Sequence, residues 1–311
     1  MASIGKLLKP FFQVSQADTN LVKDGGDQAA AVRLETVIAM VTKGCQLTLQ
    51  YSQPEAIRRL NAVEPELRGF AYEGAGVGLG AIDCIFPWQN RTARFLAGQG
   101  GAYVYAVHIG VGLALARLRR KPERYLNRLD PILGWMAIDG YGFHEGFFRH
   151  KRYVGNQIVP KHLSAYAQQI FDQGLGRAIW FLSGGDIRNV GATIGQFSPA
   201  RQPDLWNGIG LACGYTGGVS AHAIEVLQSM AGEHRVRLAV GAAIAANARH
   251  RAASPAPYAE IACEQLCTIA SIEASKIVDQ AFLDLPQTSP EPLYARWQQR
   301  LLRHFAPLVI A

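Results

Sequence analysis

Long apolar stretches with glycines at every second position, and almost no alternation of apolar and polar residues, leave a chain few ways to fold. Gly76-Val77-Gly78-Leu79-Gly80, Gly110-Val111-Gly112-Leu113-Ala114 and Gly208-Ile209-Gly210-Leu211-Ala212 are three copies of one such pattern. Strands with one buried face need a period of two, and few segments keep it. A glycine inside a helix costs about 0.5–1 kcal/mol against alanine, so its repeated use there needs a reason. Close approach of two helix backbones supplies one. The expectation is a predominantly α fold: a multi-helix single domain with these glycines at helix crossings. The recurrence points to an internal duplication of helical units. A second echo, Gly69-Phe70-Ala71-Tyr72-Glu73-Gly74 against Gly140-Tyr141-Gly142-Phe143-His144-Glu145-Gly146, would put two acidic segments in equivalent places.

The glycines do not mark a dinucleotide site. Gly76-x-Gly78-x-x-Ala81 fits the loose fingerprint, but Glu66 to Glu73 is no buried strand, and positions 94–101 hold no acid for a ribose. Apolar residues make up 49% of the chain and charged ones 18%, enough for a large core or a wide apolar cavity. The net charge of +7 is scattered, apart from Arg117–Lys121 and Arg149–Arg152. The first run follows an apolar stretch, where cations complement a helix C-terminus, so no nucleic-acid partner is expected. Five cysteines without repeating spacing, and no signal peptide, read as reduced thiols of a cytoplasmic protein. Gly100–Ala116 is uncharged but short for a membrane span, and reads as a buried helix rather than an integral membrane segment.

Along the chain, residues 1–26 form a polar leader and 27–311 a single mainly helical domain. Helices are expected over Asp27–Gln50, from Pro54, over 233–250 and 256–284, and from the 290s to Phe305. Asp186 and Asp204 have the placement of N-caps.

The densest chemistry lies in 128–150. Asp130-Pro131 opens a helix, and the apolar run to Ile138 ends at Asp139-Gly140. Tyr141, Phe143, His144 and Glu145 then stand between Gly140, Gly142 and Gly146, which reads as a glycine-rich turn lining a pocket. The competing reading is a turn whose polar groups only cap helices and bond to backbone. There is no metal-ligand spacing, no nucleophile elbow and no phosphate loop. The site is therefore expected to work without cofactor or metal, by acid–base chemistry. His144 is the proton shuttle, Asp139 its orienting group or base, Tyr141 a donor to a developing oxyanion, and Glu145 the second carboxylate. Substrate contacts are expected from Glu73, His108, Trp135, Arg177, Trp180, Arg201 and Trp206, the arginines holding an anionic oxygen. For His108 a core histidine, for Glu73 a pair with Arg68, and for the tryptophans plain core are the competing readings.

Arg68-Gly-Phe-Ala-Tyr-Glu-Gly-Ala, Gly134-Trp-Met-Ala-Ile-Asp-Gly-Tyr-Gly-Phe-His-Glu-Gly, Gly176-Arg-Ala-Ile-Trp-Phe and Asp204-Leu-Trp-Asn-Gly-Ile-Gly-Leu-Ala together resemble domain-of-unknown-function family 1702, over roughly residues 30–300. Its members are associated with bacterial gene clusters for enediyne and related polyketide antibiotics. The resemblance implies a cofactor-independent biosynthetic enzyme acting on a hydrophobic polycyclic or polyketide-derived small molecule, by carbon–carbon bond formation or cofactorless oxygenation. The alternative is a binding, sequestration or self-resistance protein for such a metabolite. A homodimer is the expected assembly. The resemblance brings no assigned catalytic set with it.

Overall fold

The computed structural model describes Phe12 and residues 28–310 apart from 284, 287 and 288. The leader over 1–26 thus lies, but for Phe12, outside the described residues. Within them the chain is helical, with no strand. The α-helices are α1 (Gln28–Gln50), α2 (Gln53–Asn61), α3 (Pro65–Ile85), α4 (Arg91–Leu96), α5 (Val104–Arg117), α6 (Met136–Phe148) and α7 (Ala165–Leu182). They continue as α8 (Ile187–Gly195), α9 (Gln202–Thr216), α10 (Ala221–Ala231), α11 (Arg235–Arg251), α12 (Pro257–Cys267), α13 (Ser271–Gln280) and α14 (Leu293–Ile310).

Local chemistry sets most of these boundaries. Ser164 and Ser220 cap α7 and α10 by accepting from Ala167 and Ala223 N–H, and Asp186 accepts from Arg188 and Asn189 N–H. Pro54, Pro65, Pro203 and Pro257 occupy first turns, where a missing N–H costs nothing. Gly217 and Gly218, at φ +64° and +100°, stop α9.

Seven helices carry the architecture. α1, α3, α5, α6, α7, α9 and α11 pack each on the next, and short helices and turns return the chain between them. These inner helices run parallel. Trp135 meets Tyr166 where α6 and α7 begin, and Phe147 meets Phe181 where they end. Arg117, ending α5, lies 5.8 Å from the Phe148 ring, ending α6. The result is an α-superhelix with roughly one inner helix per 30–36 residues, counted between Gly74, Gly110, Gly140, Gly174, Gly208 and Gly241.

Every crossing is made by a reciprocal pair of glycines. The pairs are Gly44/Gly74, Gly76/Gly110, Gly112/Gly140, Gly142/Gly174, Gly176/Gly208 and Gly210/Gly241. At each, a Cβ would overlap a carbonyl oxygen of the opposing helix, as Gly76 would Val107 and Gly110 would Glu73. In a Gly-x-Gly pair the first glycine faces the preceding helix and the second the following one. The end helices α1 and α11 carry one glycine of the pair each. The superhelix turns enough to close on itself: Arg33 Nε of α1 donates to Thr216 O of α9 (3.1 Å), and Phe70 meets Tyr215 edge-on at 5.1 Å. α14 closes the other side, burying Tyr294, Trp297, Gln298 and Phe305.

Several expectations change against this frame. Residues 136–148 are one continuous buried helix, not a turn: Gly140 and Gly142 serve crossings to α5 and α7. Asp130 does cap, accepting from Ile132 and Leu133 N–H, but at a 3₁₀ turn before α6. The helical units do repeat, but in a different register. Gly74-x-Gly76, not Gly76-x-Gly78, matches Gly110-x-Gly112, so Glu73 corresponds to Asp139 rather than Glu145. Asp204 sits in the first turn of α9, with Arg201 at the N-cap. The stretch 256–284 breaks at Thr268, φ +59°. Gly100–Ala116 forms a 3₁₀ turn and buried α5, and among the described residues no helix is long and apolar enough to cross a membrane.

The crossings give a stability test. Gly112→Ala and Gly208→Ala should each cost about 1–3 kcal/mol by forcing helices apart, and Gly112→Leu more. Gly195→Ala, whose Cβ would meet nothing within 4 Å, should be neutral or slightly stabilising. Urea midpoints at constant slope measure both.

Candidate functional site

The superhelix register decides what faces its axis. The residue before the first glycine of each pair is Glu73, Ile109, Asp139, Gln173 or Asn207, so four of five helices place a polar group at one level. Those groups form a buried network. Asp139 accepts from Arg177 Nη1 at 2.5 Å and from Gln173 Nε2 at 2.8 Å. Gln173 Oε1 accepts from Asn207 Nδ2 at 3.0 Å and from Gln298 Nε2 at 2.9 Å. Gln298 Nε2 also donates to the Tyr294 hydroxyl, which donates to Met136 Sδ.

One turn on, the same helices present Val77, Leu113, Phe143 and Arg177, and a further turn on α5, α6 and α7 present Arg117, Phe147 and Phe181. These line a cavity with Val37, Ile38, Val41, Thr42 and Cys45 of α1, Phe70 and Glu73 of α3, His144 and Phe148 of α6, Thr216 of α9, and Phe12. The space open to the centre of a water molecule is about 90 Å³, within about 790 Å³ of atom-free volume that includes the mouth. A packed interior leaves few voids larger than one water, so this is a built cavity.

Besides the Cys45 thiol, three ionisable groups face it from burial. Glu73, 4% exposed, has its nearest cation in Arg177 Nη2 at 3.8 Å. Burial lifts its carboxyl from 4.5 to about 7, against the pull of Arg177 and with that of Asp139. Arg177, 5% exposed, is held by Asp139 and lies 5.0 Å from the Phe143 ring centroid. His144, 5% exposed, packs on Phe148 at 4.8 Å, and neither ring nitrogen is hydrogen-bonded. Its Nδ1 lies 3.4 Å from Glu145 Oε1, out of line for a hydrogen bond. Burial lowers its pKa, while Glu145 pulls the other way. The cavity thus holds a carboxyl poised near neutrality, an imidazole favoured neutral, and a fixed guanidinium.

Of the residues singled out from sequence, Glu73, His144 and Arg177 come together here. Asp139 stands behind Arg177, fully buried. Tyr141 packs between Phe171 and His162, and Glu145 pairs with Arg149 at 3.0 Å. Contacts with His144 and Arg149 outweigh burial and hold Glu145 below its ordinary value. His108 is fully buried with both nitrogens unpartnered, its pKa lowered to about 4 by burial, and is not on the cavity wall. Trp135 packs on Tyr166, Trp180 and Trp206 belong to the core, and Arg201 pairs with Asp172 at 2.5 Å. Phe143, read as part of the pocket-lining stretch, is on the wall, whereas Arg117, Phe147 and Phe181 were missed. Their signal is the glycine register: each lies four or eight residues beyond the position before the first glycine. Among the described residues no three His, Cys, Asp or Glu side chains are grouped to hold a metal ion.

The sequence profile of the family described as "protein of unknown function (DUF1702)" matches residues 3–305. The chain belongs to this family. No curated protein and no solved structure matches the DUF1702 chain. The buried network and the cavity above it therefore stand on this chain's own geometry.

Glu73 gives the DUF1702 fold a pH signature. Its folded pKa is raised, so the native state binds more protons than the unfolded one between pH 4.5 and about 7. Stability falls as pH rises through that window, then levels. Glu73→Gln should lack this loss, on the order of 3 kcal/mol, in urea unfolding at pH 5 and pH 8. Arg177→Met leaves Asp139 buried and uncompensated, and should cost about 3–5 kcal/mol at pH 8.

Proposed function

We propose that this cavity is the active site of a natural-product biosynthesis enzyme that works by acid–base chemistry of its own side chains. Its substrate is a large apolar molecule, polycyclic or polyketide-derived. The observation that carries the reading is that Glu73, lifted to about 7, and His144, whose ring nitrogens make no hydrogen bond, stand with Arg177 on the wall of one largely apolar cavity. Catalytic acids and bases work best with a pKa near the working pH, and burial is how a carboxyl reaches it.

In this reading the Glu73 carboxylate takes a proton from carbon next to a substrate carbonyl. Arg177, fixed by Asp139, stabilises the enolate oxygen. The enolate carbon then forms a bond to an electrophilic carbon of the same substrate, and protonated Glu73 returns its proton to the new alkoxide, directly or with His144 as relay, accepting on one ring nitrogen and donating from the other. The phenylalanines and α1 exclude water. Membership of DUF1702, a family associated with enediyne and related polyketide clusters, supports the pathway class. The competing reading, a protein that sequesters such a metabolite, draws on the predominance of apolar wall.

Turnover and affinity separate the two. Screening polycyclic polyketides by thermal shift, then by product formation, gives a substrate on which variants are compared. Glu73→Gln and His144→Ala should each lose about 10²–10⁴ in rate with affinity changed only a few-fold. His162→Ala, at an exposed turn, should be silent. A tight ligand that no form of the protein converts leaves the sequestering reading in place.

A further inference from the structure

The cavity opens where Arg117 stands, since that side chain is both exposed and part of the wall. Because the inner helices are parallel, the ends of α5 and α6 meet at this mouth. Phe148 lies 5.8 Å from the Arg117 guanidinium, and Arg117 and Arg149 both act electrostatically on His144. The chain that leaves α5 carries exposed Arg119, Arg120 and Lys121, and the turn after α6 carries exposed Lys151 and Arg152. None of these five pairs with a described carboxylate, whereas Arg149 is tied to Glu145. One cation per helix end answers the helix dipole, at about 0.3–1 kcal/mol. Three in a row beyond α5, beside two beyond α6, add repulsion that the fold does not require.

Inside the mouth, charge is nearly balanced. Arg177 is matched by Asp139, and Glu73 and His144 face a wall of aliphatic and aromatic side chains with Thr42, Cys45 and Thr216 among them. Positive charge therefore gathers on the chain just beyond the ends of α5 and α6, next to the mouth, while Arg117 alone of these cations stands on the wall itself. We infer that the cavity takes an amphiphilic ligand, with an apolar body among the phenylalanines and an anionic head, carboxylate or phosphate, held at the rim by Arg117 and the cations that follow α5 and α6. This rests on the cavity being the ligand site, as proposed above, and adds which end of the ligand stays outside. A substrate still bearing the acid group of its assembly fits such a site, and its neutral counterpart loses the rim contacts.

The test uses two probes of one shape: 4-(1-naphthyl)butanoate and 4-(1-naphthyl)butan-1-ol, titrated by fluorescence into the full-length protein at pH 7.5. The butanoate should bind about tenfold tighter at low salt. That preference should fall toward one at 1 M salt, where the screening length is ~3 Å. Arg117→Gln, and separately Arg120→Glu with Lys151→Glu, should remove the preference, and the double variant, whose residues lie off the wall, should leave the alcohol's affinity unchanged. Val77→Phe, which fills the cavity, should weaken both probes alike. Equal affinity of the two probes, or a preference that survives both rim variants, overturns the proposal and leaves the cavity reading intact. Binding of neither probe overturns the cavity reading and the proposal with it.

Discussion

Everything in this fold depends on helix backbones touching. At each inner crossing a glycine on one helix meets a carbonyl of the next, and the gesture is returned one turn away. Removing Cβ from both sides brings the axes close enough for dispersion and Cα–H···O contacts, each small, to act along the whole crossing. No larger residue fits, so the crossings also fix register. Register in turn fixes which residues face the axis: the one before the first glycine, then the ones four and eight further on. A polar floor, a wall of Val77, Leu113, Phe143 and Arg177, and a rim at Arg117 follow from that spacing.

The helical class was legible because the sequence lacks alternation and repeats Gly-x-Gly, and both are local signals. The crossings were legible for the same reason. Register was not. Gly78 and Gly80 extend the pattern in α3 and draw its first copy two residues out of line, and the separate echo of 69–74 in 140–146 pairs Glu73 with Glu145 instead of Asp139. The reading of 139–146 as a turn came from counting glycines without asking what lay opposite. Helix backbones crowd Gly140 and Gly142 from two sides, and packing of that kind overrides glycine's poor helix propensity.

The site was partly legible. His144 stood out by its chemistry, and Arg177 as a guanidinium able to hold an anionic oxygen. Glu73 was seen as a contact, yet its raised pKa depends on burial by α1, α6 and α7, which no local pattern announces. Asp139 drew attention as a base and instead holds Arg177. Phe147 and Phe181 could not be told from core, because cavity wall and core have the same composition and differ only in what lies beyond them.

The axial positions are independent of the crossings that hold the helices together. A side chain three residues past the first glycine of a pair can change from Val77 to Phe143 to Arg177 between helices while the backbone contact beneath it stays the same. The superhelix therefore behaves as a rack of interchangeable slots around one shaft. Such a rack separates the residues that keep the chain folded from those that shape its interior, so the interior can drift through new chemistries by single substitutions without the scaffold being rebuilt.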